Sequence, residues 1–201
     1  MYVSFVVGSI TGITCLDNRL YLVEHKCKKC MCFNHSQSIH VFTADTLSEV
    51  SVIKVSGLHN VMDMVACHDD HQLFMIDGLS SIWRVSVENP TDYEKWLSDD
   101  SLQNLLHTLL LTSVLWWLKS MLWLGSRTLS LTSRRLLVTS LWSRSLLQYS
   151  TVNKQLLRVI ELPESVKKPT HAVETPRGTF VVSHAEPCGV SELFLVSSFL
   201  Y

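Results

Sequence analysis

Short apolar runs alternate with short polar breaks along this chain, most clearly between Leu129 and Leu162 (LSLTSRRLLVTSLWSRSLLQYSTVNKQLLRVIEL). The runs are Leu129–Thr132, Leu136–Ser140, Leu146–Tyr149 and Leu156–Leu162, and the breaks are Ser133–Arg134, Ser143–Ser145 and Thr151–Lys154. Apolar, β-branched and aromatic runs of this length between polar turns predict strands joined as hairpins, an antiparallel meander.

The same phrase recurs. Ile13–Glu24 (ITCLDNRLYLVE), Val65–Asp77 (VACHDDHQLFMID) and Ala172–His184 (AVETPRGTFVVSH) each read as strand, polar turn and second strand, matching Leu129–Ser140. In three of the four copies a third run follows: SIHVF at Ser38–Phe42, SIWRV at Ser81–Val85 and SLLQY at Ser145–Tyr149. A fourth run closes those copies at Val50–Val55, Tyr93–Leu97 and Leu156–Leu162, whereas the last copy stops near Val196. A repeat of four strands over roughly 40 residues is the blade of a β-propeller. The expected fold is therefore all-β: about four blades of four-stranded antiparallel meanders, approximately 9–55, 57–97, 128–162 and 170–196, in a single propeller-like domain.

The motif that closes the second strand carries a family resemblance. Its four copies read Tyr21-Leu22-Val23-Glu24, Phe74-Met75-Ile76-Asp77, Leu137-Val138-Thr139-Ser140 and Val181-Val182-Ser183-His184, and the first two end in an acid. With the isoleucine-containing third strand, this pattern resembles NHL-type propeller repeats, whose second strand closes on a Tyr-Val-Ala-Asp-like tetrad. The last two copies depart from it. The resemblance implies a propeller scaffold that binds protein or peptide on its loops.

Composition narrows the function classes. The chain has 201 residues, 47% hydrophobic and 17% charged, enough for one domain with a sizeable core. A net charge of −1 makes no electrostatic case for nucleic acid or an anionic membrane. Arg134, Arg135 and Arg144 cluster, but on strands and turns such residues ordinarily form a solvated face, with an acidic or phosphate partner as the rarer use. Tyr2–Val7 lacks the basic start and apolar length of a secretory signal and reads as a strand of a preceding blade or of ring closure.

The one metal-like cluster is His25–His35 (HKCKKCMCFNH), where Cys27, Cys30, Cys32 and His35 are candidate zinc ligands. A C-x₂-C pair sets two thiolates on one side of a tight turn, and a third Cys with a His completes a tetrahedral set. The plainer reading is a hairpin loop with free thiols, which Lys28 and Lys29 would activate toward oxidation. Cys15 and Cys67 occupy corresponding entry-strand positions and are expected to be buried. No disulfide framework is evident, which fits a reducing, cytoplasmic location. No catalytic residue and no organic cofactor is assigned: nucleophile motifs, phosphate-binding glycine loops and paired carboxylates are missing from the pattern, and there are only 7 glycines.

Trp83 and Trp96 are expected to pack between blades. His68-Asp69-Asp70-His71 has ligand residue types but falls on a hairpin turn, where polar residues are expected anyway. The spacing of the equivalent positions Leu20, Leu73, Leu136 and Thr179 widens before Leu136, and the excess is Leu102–Ser126, rich in Leu and Trp with Lys119 its one full charge. Residues 107–124 have the length to span a bilayer, although Lys119 and the need to keep blades in contact oppose it. A helix capping the propeller is the second reading. The preferred one is a segment foreign to the fold, from a flawed gene model, because sequence character changes abruptly at both of its edges.

Two functions compete. One is a non-catalytic protein-interaction module with loops such as Cys27–Gln37 and Ser86–Asp92 as contact surface. The other is a lyase- or lactonase-like propeller enzyme whose channel metal would be held by some of His59, Asp63, His171 and Glu174. The module is preferred because it asks for nothing that the sequence lacks. Since propellers have about four to eight blades, the chain is also expected to be part of a larger protein or a truncated gene model.

Overall fold

A computed structural model describes residues 9–25, 36–78, 81–98, 127–140, 144–166, 168–185 and 191–197. They form fifteen strands: β1 (Ser9–Leu16), β2 (Arg19–His25), β3 (Ser36–Thr43), β4 (Glu49–His59), β5 (Val61–Cys67), β6 (Gln72–Asp77), β7 (Ile82–Ser86), β8 (Tyr93–Leu97), β9 (Arg127–Thr132), β10 (Arg135–Ser140), β11 (Ser145–Ser150), β12 (Leu156–Glu161), β13 (Pro169–Glu174), β14 (Thr179–Ala185) and β15 (Ser191–Ser197). The strands form antiparallel sheets in simple chain order, β1-β2-β3-β4, β5-β6-β7-β8, β9-β10-β11-β12 and the three-stranded β13-β14-β15. The all-β meander of four blades read from the repeats is therefore the architecture. Residues 102–126 and Tyr2–Val7 lie outside the described residues.

Turn chemistry sets the register. Asp17 and Asn18 take φ of 49° and 59°, and Ser133 and Arg134 take 44° and 60°. These are two-residue connections with both residues left-handed, which match the right-handed strand twist. A backbone bond then repeats blade by blade: Ala44 N donates to Asn18 O, Val87 N to His71 O and Thr151 N to Arg134 O, each at 2.9 Å. It ties the end of the third strand to the first hairpin's turn. The blades are thus repeats in hydrogen bonding as well as in sequence.

The chain divides into two compact units, residues 1–98 and 99–201. In the first, Tyr21, Val23, Ile39, Val41, Ile53 and Val55 of the β1–β4 blade pack with Met64, Leu73, Met75, Trp83 and Val85 of the next. A Cβ placed on Gly12 of β1 would lie 3.1 Å from the Met64 Cβ, so a side chain there would press on β5. In the second unit, Leu137, Leu146 and Ile160 pack against Ala172, Phe180, Val182 and Val196. Each unit is a pair of neighbouring blades closed over one apolar layer.

Two details differ from the expectation. β4 runs on through Gly57 to His59, so the second blade's strands begin at Val61 rather than at Gly57. Cys15 is exposed whereas Cys67 is buried. Cys15 pairs with Leu20, but Cys67 pairs with Gln72 and is the counterpart of Leu16. The four-residue turn His68–His71 in place of Asp17–Asn18 moves the comparison by one position, and one position flips a strand side chain to the other face.

Candidate functional site

Each strand pair ends at a turn, and the turns of neighbouring blades meet at one rim of each unit. In the first unit, His71 Nδ1 bonds Asp17 Oδ2 at 2.7 Å and Asn18 Nδ2 donates to Asp45 Oδ1 at 2.7 Å, joining the β1–β2, β3–β4 and β5–β6 turns. The acids of these turns and of β7–β8 are Asp17, Asp45, Asp69, Asp70, Glu88 and Asp92, none fully buried, and no Lys or Arg shares the turns with them. The second unit reverses the sign. Its turns carry Arg134, Lys154 and Arg177, all exposed, and those turns contain no acid of their own.

Beneath that basic rim sits a buried carboxylate. Glu174 ends β13, and its side chain is 1% exposed. Oε1 accepts from Arg158 Nη2 at 2.7 Å and lies 3.3 Å from Arg135 Nη1, while Oε2 accepts from Gln148 Nε2 at 2.8 Å. Arg158 Nε donates to Gln148 Oε1 at 2.7 Å, and the guanidinium lies 4.9 Å from the Phe180 ring centroid. One carboxylate thus fastens β13 to β10, β11 and β12. A buried charge of this kind is tolerated only when paired and hydrogen-bonded.

The first unit buries its acid elsewhere. Asp77, 3% exposed, closes β6; its Oδ1 accepts from Ser81 N and its Oδ2 from Trp83 Nε1, both at 2.8 Å. The acid that ends the tetrad therefore holds the turn into the third strand and anchors its tryptophan. Trp83 also joins the core shared by the two blades, as expected, whereas Trp96 packs edge-to-face on Phe74 of its own blade at 5.2 Å. At the corresponding place in the last blade stands His184, buried and edge-to-face with Phe194 at 4.9 Å.

The remaining candidates are dispersed. Cys27, Cys30, Cys32 and His35 lie outside the described residues, and among the described ones no group of three or more His, Cys, Asp and Glu could hold a metal. Of the channel candidates, His59 and Asp63 belong to the first unit and His171 and Glu174 to the second. Asp63 Oδ1 accepts from Met64 N at 2.8 Å. His171 is exposed and Glu174 buried, on opposite faces of one strand. His68–His71 is the turn that it was read to be, with Cys67 Sγ donating to Asp70 Oδ2 at 3.5 Å. Burial pushes the Cys67 thiol above its ordinary value, away from a reactive thiolate. Arg144 lies 3.7 Å from exposed Glu164, so the expected three-arginine cluster is divided among separate partners.

No family model and no curated protein matches the sequence. Solved structures do match the fold. The Kuenenia stuttgartiensis hydrazine synthase aligns with 98% of this chain and 48% of its own at TM-score 0.60 and 13% identity. The Myceliophteria thermophila Cps50 (Swd1) β-propeller domain aligns with 94% and 52% at TM-score 0.56 and 11% identity, and a Nidogen/Laminin complex with 96% and 66% at 0.56 and 13%. At these identities the likeness concerns the fold: the chain is a partial β-propeller, spanning about half the length of the first of these structures. Which propeller class it belongs to is a separate matter.

Proposed function

We propose that the chain is a non-catalytic protein-interaction module, an NHL-like propeller scaffold that binds protein or peptide segments on its turn rims. The carrying observation is the sorting of charge between rims, acids in the turns of the first unit and bases in those of the second. Turns on a rigid scaffold are where binding residues concentrate, and a rim of one sign selects partners of the other. The NHL-like assignment is supported by Asp77, whose two bonds give the tetrad's closing acid a structural task. A scaffold reading also suits Glu174, since its carboxylate is already engaged by Arg158, Arg135 and Gln148 in a joint between strands. Among the similar structures, the Nidogen/Laminin complex is one in which a propeller-containing chain stands in a protein assembly.

A displayed random-peptide library selected against the folded chain tests the reading. Enriched peptides should bind about tenfold or more weakly to the double variant Arg134→Glu/Arg177→Glu, or to Asp69→Lys/Asp92→Lys, and be more sensitive to salt than to exposed β12 substitutions. Failure to enrich any peptide, or binding indifferent to both rims, would refute it.

A further inference from the structure

One of the arginines on the buried Glu174 carboxylate reaches solvent. Arg135 opens β10 directly after the Ser133–Arg134 turn, and its side chain is 39% exposed, whereas that of Glu174 is 1% exposed. The contact with Glu174 engages one nitrogen, Nη1, at 3.3 Å, and a guanidinium carries five N–H donors on three nitrogens. Glu174 is itself fixed by Arg158 and Gln148. Arg135 is thus a surface cation pinned from below, with less side-chain freedom left to lose on binding than a surface arginine ordinarily has.

Its surroundings select a partner. Arg134 adjoins it, and the turn that carries Lys154 is tied to Arg134 by bonds from Thr151 N and Thr151 Oγ1 to Arg134 O at 2.9 and 3.1 Å. Arg177 stands on the β13–β14 turn, which is closed by Thr175 N to Thr179 O at 2.8 Å and Gly178 N to Thr175 O at 2.9 Å. Thr128 Oγ1 donates to Thr170 O at 2.8 Å and fixes that blade against β9. Arg134, Arg135, Lys154, Arg158 and Arg177 are therefore gathered about one carboxylate, and their summed field attracts an anion. Val152, in the turn with Lys154, is 68% exposed, and Pro176 beside Arg177 is exposed as well. Apolar side chains among the cations are answered by a peptide that carries acids next to an apolar residue, and add nothing toward a phosphate backbone.

We propose that the rim where the last two blades meet is a docking site for an acidic peptide segment. Arg135 takes a carboxylate of the partner through the donors that Glu174 leaves, Arg134, Lys154 and Arg177 hold the flanking acids, and Val152 receives an apolar side chain between them. This rests on the interaction-module reading and gives its basic rim a partner class and a specificity-determining residue.

The test is fluorescence anisotropy of the whole chain with a fluorescein-labelled peptide of core Glu-Glu-Leu-Glu-Glu. It should bind with marked salt sensitivity, whereas a Gln-Gln-Leu-Gln-Gln peptide and an oligothymidylate of equal charge should each bind about tenfold or more weakly. Arg135→Gln and Arg177→Glu should each weaken the acidic peptide by about tenfold. Arg135→Lys keeps the charge against Glu174 and gives up the guanidinium fork; it should cost about threefold, and it decides the role of Arg135 if circular dichroism shows Arg135→Gln unfolded. Arg144→Gln, on the turn at the opposite end of the blade, should leave binding unchanged. Binding that is indifferent to the folded Arg135 variants or to Arg177→Glu overturns the inference, as does no binding of the acidic peptide, or equal or tighter binding of the glutamine peptide or the oligonucleotide. If displayed peptides then still enrich on the acidic rim of the first unit, the module reading stands and this site alone falls; if none enriches on either rim, both fall.

Discussion

The two units are built from the same meander and held by opposite means. In the first, two blades share a continuous apolar layer with Trp83 inside it, and their turns touch through the exposed Asp17–His71 pair. In the second, the apolar layer is supplemented by a buried polar joint in which Glu174 answers Arg158, Arg135 and Gln148 from three strands of the neighbouring blade. The acid has moved. The first unit keeps it at the end of the second strand, where Asp77 organises its own blade, and the second places it at the end of the first strand, where it binds the preceding blade.

Removing the joint carboxylate should have the largest effect. Glu174→Ala leaves two guanidiniums and the Gln148 amide facing a void, and stability in urea should fall by about 3 kcal/mol, the scale for breaking a largely buried ion pair. Glu174→Gln keeps the volume and one hydrogen bond and should lose less. Asp77→Ala comes next at about 2 kcal/mol, because it leaves the Trp83 indole N–H and Ser81 N without their acceptor inside one blade. Should Asp77→Ala prove the more damaging of the two, the contrast between a joint and a within-blade fastening would be wrong.

Alkaline pH sharpens the comparison differently. Burial raises both the Cys67 thiol and the Tyr21 phenol above their ordinary values of 9.0 and 10.0, Tyr21 against a smaller opposing pull from Arg19. In each case the folded chain holds the proton more tightly than the unfolded one. The stability they contribute is complete below the ordinary values and is lost as pH rises through the raised ones. Among the described residues these two lie in the first unit, so above pH 9 its amides should exchange faster than their intrinsic pH dependence predicts, ahead of those in the second. Cys67→Ala should blunt the lower part of that response.

The strands, their order and the blade count were legible in the sequence because alternation and turn residues are local signals. Ser133–Arg134 shows how robust they are, forming a left-handed turn without the Asn or Gly that the conformation prefers. Residues whose meaning depends on contacts between blades were not legible. Glu174 drew attention as a metal ligand, since nothing along the chain announces that Arg135 and Arg158 will fold onto it from blade three. Cys15 was misjudged for a smaller reason: the register across a turn depends on the turn's length, and His68–His71 is longer than Asp17–Asn18. The rim charges could have been found by sorting charged residues by turn rather than by proximity in sequence, since Arg134, Lys154 and Arg177 lie on three different hairpins.

The smallest expected effect is at the other inter-blade pair. His71 Nδ1 and Asp17 Oδ2 are as close, at 2.7 Å, as Arg158 and Glu174, yet their side chains are 44% and 52% exposed. Water competes for both groups at that exposure, so Asp17→Asn should change stability by under about 0.5 kcal/mol. Distance alone would rank the two pairs together; burial separates them. The measurement is a pair of double-mutant cycles under one buffer and salt: Asp17→Asn with His71→Gln, and Glu174→Gln with Arg158→Met. A coupling in the first cycle that matched the second would mean that the turns fasten the first unit as firmly as the buried joint fastens the second. A near-zero first coupling beside one of about 2 kcal/mol or more in the second would assign the first unit's cohesion to its apolar layer.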